Sequence, residues 1–142
     1  MNQTLYAAVD WRVMPHPRLI HNKAALRIPR ALLRNKTALR TLDYLSNRDA
    51  LAMLLRSARA RAGKPAMPKR QLLRAHISIW RVGNGIPDAD ADNLAKTVLD
   101  AMVVAGWIED DRWVRSPYVD VFDDAPKDVV AIRLEVRQEG CA

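Results

Sequence analysis

Four stretches of the chain have the residue pattern of β-strands. Residues 129–136 alternate between apolar and polar side chains, which predicts a half-buried strand. Residues 71–82 alternate in part and end in β-branched and aromatic residues, and residues 118–122 form a short run of similar composition. Together with residues 5–13, these runs predict four strands.

Two further stretches follow the three- and four-residue spacing of helices. Leucines between residues 42 and 55 recur at these spacings and predict a helix over residues 37–62, which Gly63 and Pro65 end. The polar run over residues 46–49 leaves two forms open, one continuous helix or two helical pieces.

The second helix is predicted between two capping residues. Asp92 has the side chain of a good N-cap, and Gly106 suits the left-handed position that commonly ends a helix. Residues 107–116 then form a loop. Apolar residues at helical spacing predict the buried face of this helix: Leu94, Val98, Ala101, Met102 and Ala105.

The predicted order of elements is β-α-β-α-β-β, which favours an α+β fold in which a mixed β-sheet packs against two main helices. No repeat or linker divides the chain, so a single domain is expected over residues 1–142. The segment over residues 14–30 contains three prolines and several basic residues, and we expect an exposed, substrate-facing loop there.

Composition bounds the setting in which the protein works. The single cysteine, Cys141, excludes an intramolecular disulfide and a cysteine-based metal site, which suits a reducing cytoplasm. No apolar run approaches the roughly 20 residues needed to cross a bilayer, and no signal-peptide pattern is seen. We expect a cytoplasmic protein with no membrane partner.

Charge is divided unevenly along the chain. The net charge is +7, but residues 1–85 carry 17 Lys and Arg against 3 Asp and Glu, whereas residues 86–142 carry 6 against 13. A strongly basic surface attracts nucleic acid, although a solvated basic face has the same composition. An acidic cluster within a basic chain is what a metal-dependent enzyme acting on nucleic acid needs.

The acidic portion of the chain, residues 86–142, contains carboxylates at a spacing suited to metal binding. Asp88, Asp90 and Asp92 alternate, so in an extended segment they project to the same side. Asp111 follows after the helix, and a strand that paired beside the preceding one would return it to the same locality. Crowded carboxylates repel one another without a cation, and Mg²⁺ or Mn²⁺ prefers such oxygen ligands. One ion or two would satisfy this pattern.

Lys96 lies four residues after Asp92, on the same face of the predicted helix, and its side chain leans back toward the carboxylates. There its ammonium could stabilise charge on a phosphate under attack. Asp100, one turn further, is expected to hold Lys96 by an ion pair and to support the site without being a metal ligand. Simpler roles stay open, because Asp-x-Asp often caps a helix and Asp110-Asp111 fits a polar loop.

A longer motif connects these residues. It comprises a run that opens the helix, a Leu-Asp-Ala triplet and an acidic pair: Asp90-Ala91-Asp92-Asn93-Leu94-Ala95-Lys96, Leu99-Asp100-Ala101 and Asp110-Asp111. The motif, over about residues 88–114, resembles that of the RusA family of Holliday junction resolvases. The segment over residues 14–18 departs from the Pro-Pro-Ser/Thr-Asn-like run of that family.

The resemblance implies a metal-dependent endodeoxyribonuclease that resolves four-way (Holliday) DNA junctions in recombination and repair by symmetric nicks, with Mg²⁺ as cofactor and Mn²⁺ as a substitute. It implies that Asp90, Asp92 and Asp111 are catalytic carboxylates that bind the metal, and that Lys96 is the essential basic residue beside them. It also implies a homodimer, in which two-fold symmetry places one active site on each strand to be cut.

Five basic residues lie in predicted loops or close to the motif and are our candidates for contacts with DNA phosphates: Lys23, Arg27, Lys69, Arg70 and Arg112. Two other functions are open from the sequence. A less selective nuclease would cut flaps, forks and other branched duplexes. A non-catalytic DNA-binding protein would carry the same charges without cleaving DNA.

Overall fold

The computed structural model describes residues 3–16, 36–83 and 91–137. Within these residues, the chain forms four strands and two long helices in the predicted order. They are β1 (Thr4–Val9), α1 (Lys36–Ala62), β2 (Leu73–Trp80), α2 (Ala91–Val104), β3 (Tyr118–Phe122) and β4 (Val129–Val136), with a short 3₁₀ helix at Asp111–Trp113. The architecture is α+β, as the sequence predicts.

The four strands form one mixed sheet in the order β1-β4-β2-β3. β4 is antiparallel to both β1 and β2, whereas β2 and β3 are parallel. Parallel neighbours require a crossover connection, and α2 lies in that connection. The strand that follows the acidic loop therefore lies beside the strand that precedes the acidic motif, which is the arrangement expected from the sequence.

The core forms between the sheet and the inner faces of the helices. α1 and α2 pack against each other, and they also contact β1 and β3 respectively. Fully burying one Leu or Ile stabilises the fold by about 1.5–3 kcal/mol, so the strand register is fixed by the side chains that face the helices. The two inner strands bury alternate apolar residues: Leu73, Ala75, Ile77 and Ile79 on β2, and Val130, Ile132 and Leu134 on β4.

α2 buries the face that its spacing predicts. The five predicted positions, from Leu94 to Ala105, are each no more than 2% exposed. The helix begins at Ala91, so Asp92 lies in the first turn. The prediction of Asp92 as the N-cap is wrong, because alanine is a strong helix former and joins the helix. A carboxylate in the first turn is still stabilised by the positive end of the helix dipole.

Gly106 ends α2 as predicted, with a left-handed φ of 73°. Its N–H donates to the carbonyl of Val103 (3.1 Å), and the Trp107 N–H donates to the carbonyl of Met102 (2.9 Å). These are the two bonds of a Schellman motif. Trp107 is fully buried, and its indole N–H donates to the carbonyl of Leu55 on α1 at 2.9 Å. The start of the acidic loop is therefore anchored in the core.

α1 is one continuous helix, so the alternative of two pieces is wrong. The polar run within it makes tertiary contacts instead of ending the helix. The Asn47 side chain accepts a bond from the N–H of Met14 (2.9 Å) and donates to the carbonyl of Arg12 (2.9 Å). In the part of the chain that the structure describes, neither α1 nor any other helix is long and apolar enough to cross a membrane.

β1 and β2 are shorter than predicted, whereas β3 and β4 have the predicted bounds. β1 ends at Val9 rather than at residue 13, and β2 begins at Leu73 rather than at residue 71. Beyond β1, the Arg12 side chain bonds Asp128 (2.9 Å) and the carbonyl of Val82 (3.0 Å). These long-range contacts hold the segment after β1. They could not be predicted from the pattern of residues within the segment itself.

We expect Gly106→Ala to lower the free energy of unfolding by about 1 kcal/mol, because a β-carbon is strained at a φ of 73°. The added β-carbon would meet no atom closer than Arg59 Nη2 at 4.0 Å, so backbone strain is the main cost. Chemical denaturation measures the change. Ser46→Ala, at an exposed position of α1, is the control and should change stability by less than about 0.5 kcal/mol. An equal loss in both variants would contradict this explanation.

Candidate active site

A cleft of about 270 Å³ lies between α1, α2 and the loop that follows α2. It is lined by one arginine of α1, two valines of α2 and three aspartates: Arg48, Val103, Val104, Asp100, Asp110 and Asp111. We call the space between these six residues the acidic cleft. It brings together Asp100 and Asp111, two residues of the predicted site, and adds the neighbouring Asp110.

Hydrogen bonds fix the loop that carries two of these aspartates. The carbonyl of Trp107 accepts a bond from the N–H of Met67 at 2.9 Å. Asp110 caps the 3₁₀ helix, because its side chain accepts a bond from the N–H of Arg112 at 3.0 Å. Asp111 then occupies the first position of that short helix. The backbone that carries Asp110 and Asp111 is thus held by hydrogen bonds.

Burial and the crowding of acids raise the pKa of Asp111. Burial is the largest cause, followed by the hydrogen bond to Asp110 and the negative charges of Asp110 and Asp100, whereas the positive charge of Lys96 lowers this pKa. The pKa of Asp110 is shifted down, first by the N–H of Arg112 and then by Asp111. Of these two adjacent aspartates, Asp111 is therefore the one whose ionised form is less stable in the absence of a cation.

Asp92 and Lys96 lie one turn apart on α2, and both are exposed. Lys96 is close enough to Asp111 for its charge to favour the ionised carboxylate. Asp92 lies eight residues before Asp100, which corresponds to about 12 Å along the helix axis. Lys96 occupies the turn between them, so it links the first turn of α2 to the acidic cleft.

Within residues 3–16, 36–83 and 91–137, no three carboxylate, histidine or cysteine side chains are arranged to hold one metal ion. Asp90, the remaining member of the predicted metal site, lies outside the described residues, as does Asp88. The two members of the predicted site that the structure describes, Asp92 and Asp111, offer carboxylate oxygens, which Mg²⁺ and Mn²⁺ prefer as ligands. The three-aspartate site formed by Asp90, Asp92 and Asp111 stays a prediction.

Asp100 does not make the expected ion pair with Lys96. Its carboxylate accepts a hydrogen bond from the Tyr44 hydroxyl, and Nε2 of His16 lies 3.8 Å from the same oxygen. The His16 ring packs edge-on against Tyr44, with centroids 4.7 Å apart. A buried hydroxyl needs an acceptor, and Tyr44 is 1% exposed. This need explains why Asp100 bonds Tyr44 rather than the exposed Lys96.

Tyr44 and Arg48 are site residues that sequence reasoning missed. Burial raises the pKa of the Tyr44 hydroxyl, and the hydrogen bond and charge of Asp100 raise it further, whereas Arg48 opposes this shift. The phenol therefore stays protonated and remains a donor to Asp100. A signal was present, because Tyr44 interrupts the leucine pattern of α1 and Arg48 follows one turn later on the same side.

The segment that leads into the predicted substrate-facing loop is anchored to α2. The His16 N–H donates to the carbonyl of Asn93 at 3.0 Å. The hydroxyl of Thr97, which is fully buried, donates to the carbonyl of Met14 at 2.7 Å. The described start of that segment thus lies against the first turns of α2, beside Asp100.

Three of the five predicted phosphate contacts are described, and all three are exposed. Lys69 and Arg70 lie in the turn between α1 and β2, and neither lines the acidic cleft. Arg112 follows Asp111 directly, and its Nε lies 4.0 Å from the carboxylate of Asp110. Arg112 is therefore the one of the three beside the acidic cleft. The other two predicted contacts lie outside the described residues: Lys23 and Arg27.

We expect Tyr44→Phe to lower the free energy of unfolding by about 1.5 kcal/mol, because it removes the donor to the Asp100 carboxylate and keeps the buried ring. Thermal denaturation of the purified variant measures this loss. Tyr118→Phe, at a side chain that is 62% exposed, is the matched control and should leave stability unchanged. Wild-type stability in Tyr44→Phe would show that the bond contributes nothing.

A family model matches most of this chain. The model for endodeoxyribonuclease RusA matches residues 34–134 of 142, a span that contains α1, β2, α2, β3 and all of the acidic cleft. A search of curated proteins finds no match. The matched span is much longer than the motif over residues 88–114 that carries the resemblance. Since it covers more than two thirds of the sequence, the chain belongs to the endodeoxyribonuclease RusA family.

Proposed function

We propose that this protein is a metal-dependent endodeoxyribonuclease that resolves four-way DNA junctions by paired nicks. Membership of the family implies junction-resolving nuclease activity. The observation that carries the proposal is the acidic cleft, in which Asp111 lies within reach of the charge of Lys96 inside the matched span. Clustered like charges oppose folding, and perturbed carboxylates in a cleft are typical of functional sites.

The acidic residues suit a divalent cation. In this proposal Asp90, Asp92 and Asp111 hold Mg²⁺, and Mn²⁺ can replace it. Their carboxylate oxygens are hard ligands, and the raised pKa of Asp111 reflects burial together with a crowding of negative charge that a cation would relieve. When bound, such an ion polarises the phosphate and lowers the pKa of the attacking water.

Lys96 supplies fixed positive charge in this proposal. In phosphodiester hydrolysis the oxygen of a water molecule bonds to phosphorus, one P–O ester bond breaks, and the leaving oxygen gains a proton. The Lys96 ammonium would bind an oxygen of the phosphate and stabilise the charge that builds up on it. Asp100 would act from the cleft wall as a positioning residue, held by its bond to Tyr44.

The basic part of the chain would bind the DNA, and two copies would cut it. The 17 Lys and Arg before residue 86 supply the charge that a polyanion needs. Arg112, beside the acidic cleft, is the first candidate for a phosphate contact. A junction has two strands to nick, so a two-fold homodimer would place one cleft on each. Size-exclusion chromatography with light scattering tests the dimer.

We expect the wild type to cut a labelled synthetic four-way junction with Mg²⁺ or Mn²⁺ and to lose this activity in EDTA. Asp92→Asn and Asp111→Asn should each slow cleavage about a thousandfold, because each removes a proposed metal ligand. Junction binding, measured by gel shift in EDTA, should survive or tighten because negative charge is lost.

Asp123→Asn, in the exposed loop after β3, is the charge-matched control and should cut at the wild-type rate. Normal cleavage by Asp92→Asn and Asp111→Asn would refute the proposed site. A parallel panel of forks and linear duplexes tests selectivity, and equal cutting of every substrate would remove the resolvase assignment.

We expect Lys96→Gln to slow cleavage about a hundredfold without changing the melting temperature, because the residue is exposed on α2. Single-turnover rates and thermal denaturation of the same preparation measure both effects. Lys127→Gln, in the loop before β4, removes the same charge at an exposed site outside the cleft and serves as control. A Lys96 variant that melts early and retains its rate would assign this residue a structural role.

A further inference from the structure

The acidic cleft has a basic wall that the proposed mechanism does not use. Arg48 is the basic residue among the six that line the cleft. It lies on α1, whereas Asp100 lies on α2 and the other two aspartates lie on the following loop. An arginine and three aspartates from different elements therefore line one cavity of about 270 Å³.

Arg48 is held in place by residues other than the cleft aspartates. Its Nε and Nη2 atoms lie 3.0 and 2.9 Å from one carboxylate oxygen of Asp49. It also lies close enough to the Tyr44 hydroxyl to lower the pKa of that group by charge and hydrogen bonding. Among the ion pairs of the described residues, none joins Arg48 to an aspartate of the acidic cleft.

This arrangement suits a phosphate. An arginine that served to neutralise the cleft would pair with its carboxylates, whereas Arg48 faces the same space without doing so. Arginine offers five N–H donors in a planar fork that matches two oxygens of a phosphate. Building on the proposed nuclease function, we propose that Arg48 is a catalytic residue that binds a non-bridging oxygen of the scissile phosphate and stabilises the charge developing there.

A structural Arg48 would behave differently. In that case its role would be the pair with Asp49, whose side chain is 56% exposed. Exposed ion pairs contribute little to stability. Removing one would not change the effect that sulfur at the scissile phosphate has on the cleavage rate. A measurement that reports on the phosphate oxygens therefore separates the two roles.

The test is single-turnover cleavage of a four-way junction by the full-length Arg48→Gln variant. Three junction substrates are compared. One has oxygen at both non-bridging positions of the scissile phosphate, and each of the other two has sulfur at one of these positions. We expect Arg48→Gln to slow cleavage of the all-oxygen junction about a hundredfold, and junction affinity to fall less than about fivefold, since several phosphate contacts remain. At the position that Arg48 contacts, sulfur should slow the wild type about fivefold more than the variant.

Two further variants complete the experiment, one that matches the charge lost in Arg48→Gln and one that keeps the charge of Arg48. Arg133→Gln removes a positive charge from an exposed site on β4 outside the cleft and should cleave at the wild-type rate. Arg48→Lys keeps the charge but not the fork, so it should recover part of the rate, and it replaces Arg48→Gln in the sulfur comparison if that variant does not fold.

A rate for Arg48→Gln within about threefold of the wild type would overturn the assignment of Arg48, as would additive effects of the variant and sulfur at both positions. A wild-type protein that leaves the junction uncut would instead overturn the proposed nuclease function. The two failures are therefore distinguishable.

Discussion

Parallel pairing of β2 and β3 sets the position of the acidic cleft. Parallel strands cannot be joined by a tight turn, so the chain leaves β2, passes along α2 and enters β3 beside the middle of β2, where His76 pairs with Tyr118. The loop between α2 and β3 must therefore lie near the end of α2. The Schellman bonds around Gly106 and the buried Trp107 fix where that loop begins. The acidic pair is carried next to α2 as a consequence of the topology.

The same topology produces an electrostatic conflict. Asp100, Asp110 and Asp111 share one small cleft, and the pKa of Asp111 rises because its charge is partly buried near other acids. The compensating groups come from different elements. Lys96 belongs to α2 and acts on Asp111, while α1 supplies the Tyr44 hydroxyl to Asp100. In the proposed function, a bound cation and the DNA phosphate complete this balance.

The spacing of apolar residues along the chain predicted most helices and strands, because the same residues form the buried core. The buried face of α2 from Leu94 to Ala105, the bounds of β3 and β4, and the stop at Gly106 follow from periodicity and capping. The motif over residues 88–114 predicted the family, and the match over residues 34–134 confirmed it.

Contacts between distant segments could not be predicted in this way. The polar run in α1 does not break the helix, because Asn47 bonds the backbone of Met14 and Arg12. Asp100 bonds a tyrosine 56 residues away instead of the lysine one turn before it. In both cases a polar group pairs with a partner from another element, and spacing along the chain carries no information about such a partner.

In the proposed function one cation is shared by Asp90, by Asp92 in the first turn of α2, and by Asp111 after the helix. Anomalous diffraction from a crystal soaked with Mn²⁺ measures this directly. We predict a peak within about 2.2 Å of carboxylate oxygens of Asp90, Asp92 and Asp111. An ion held by Asp90 and Asp92 with Asp111 out of reach, or no bound ion at all, would contradict the claim.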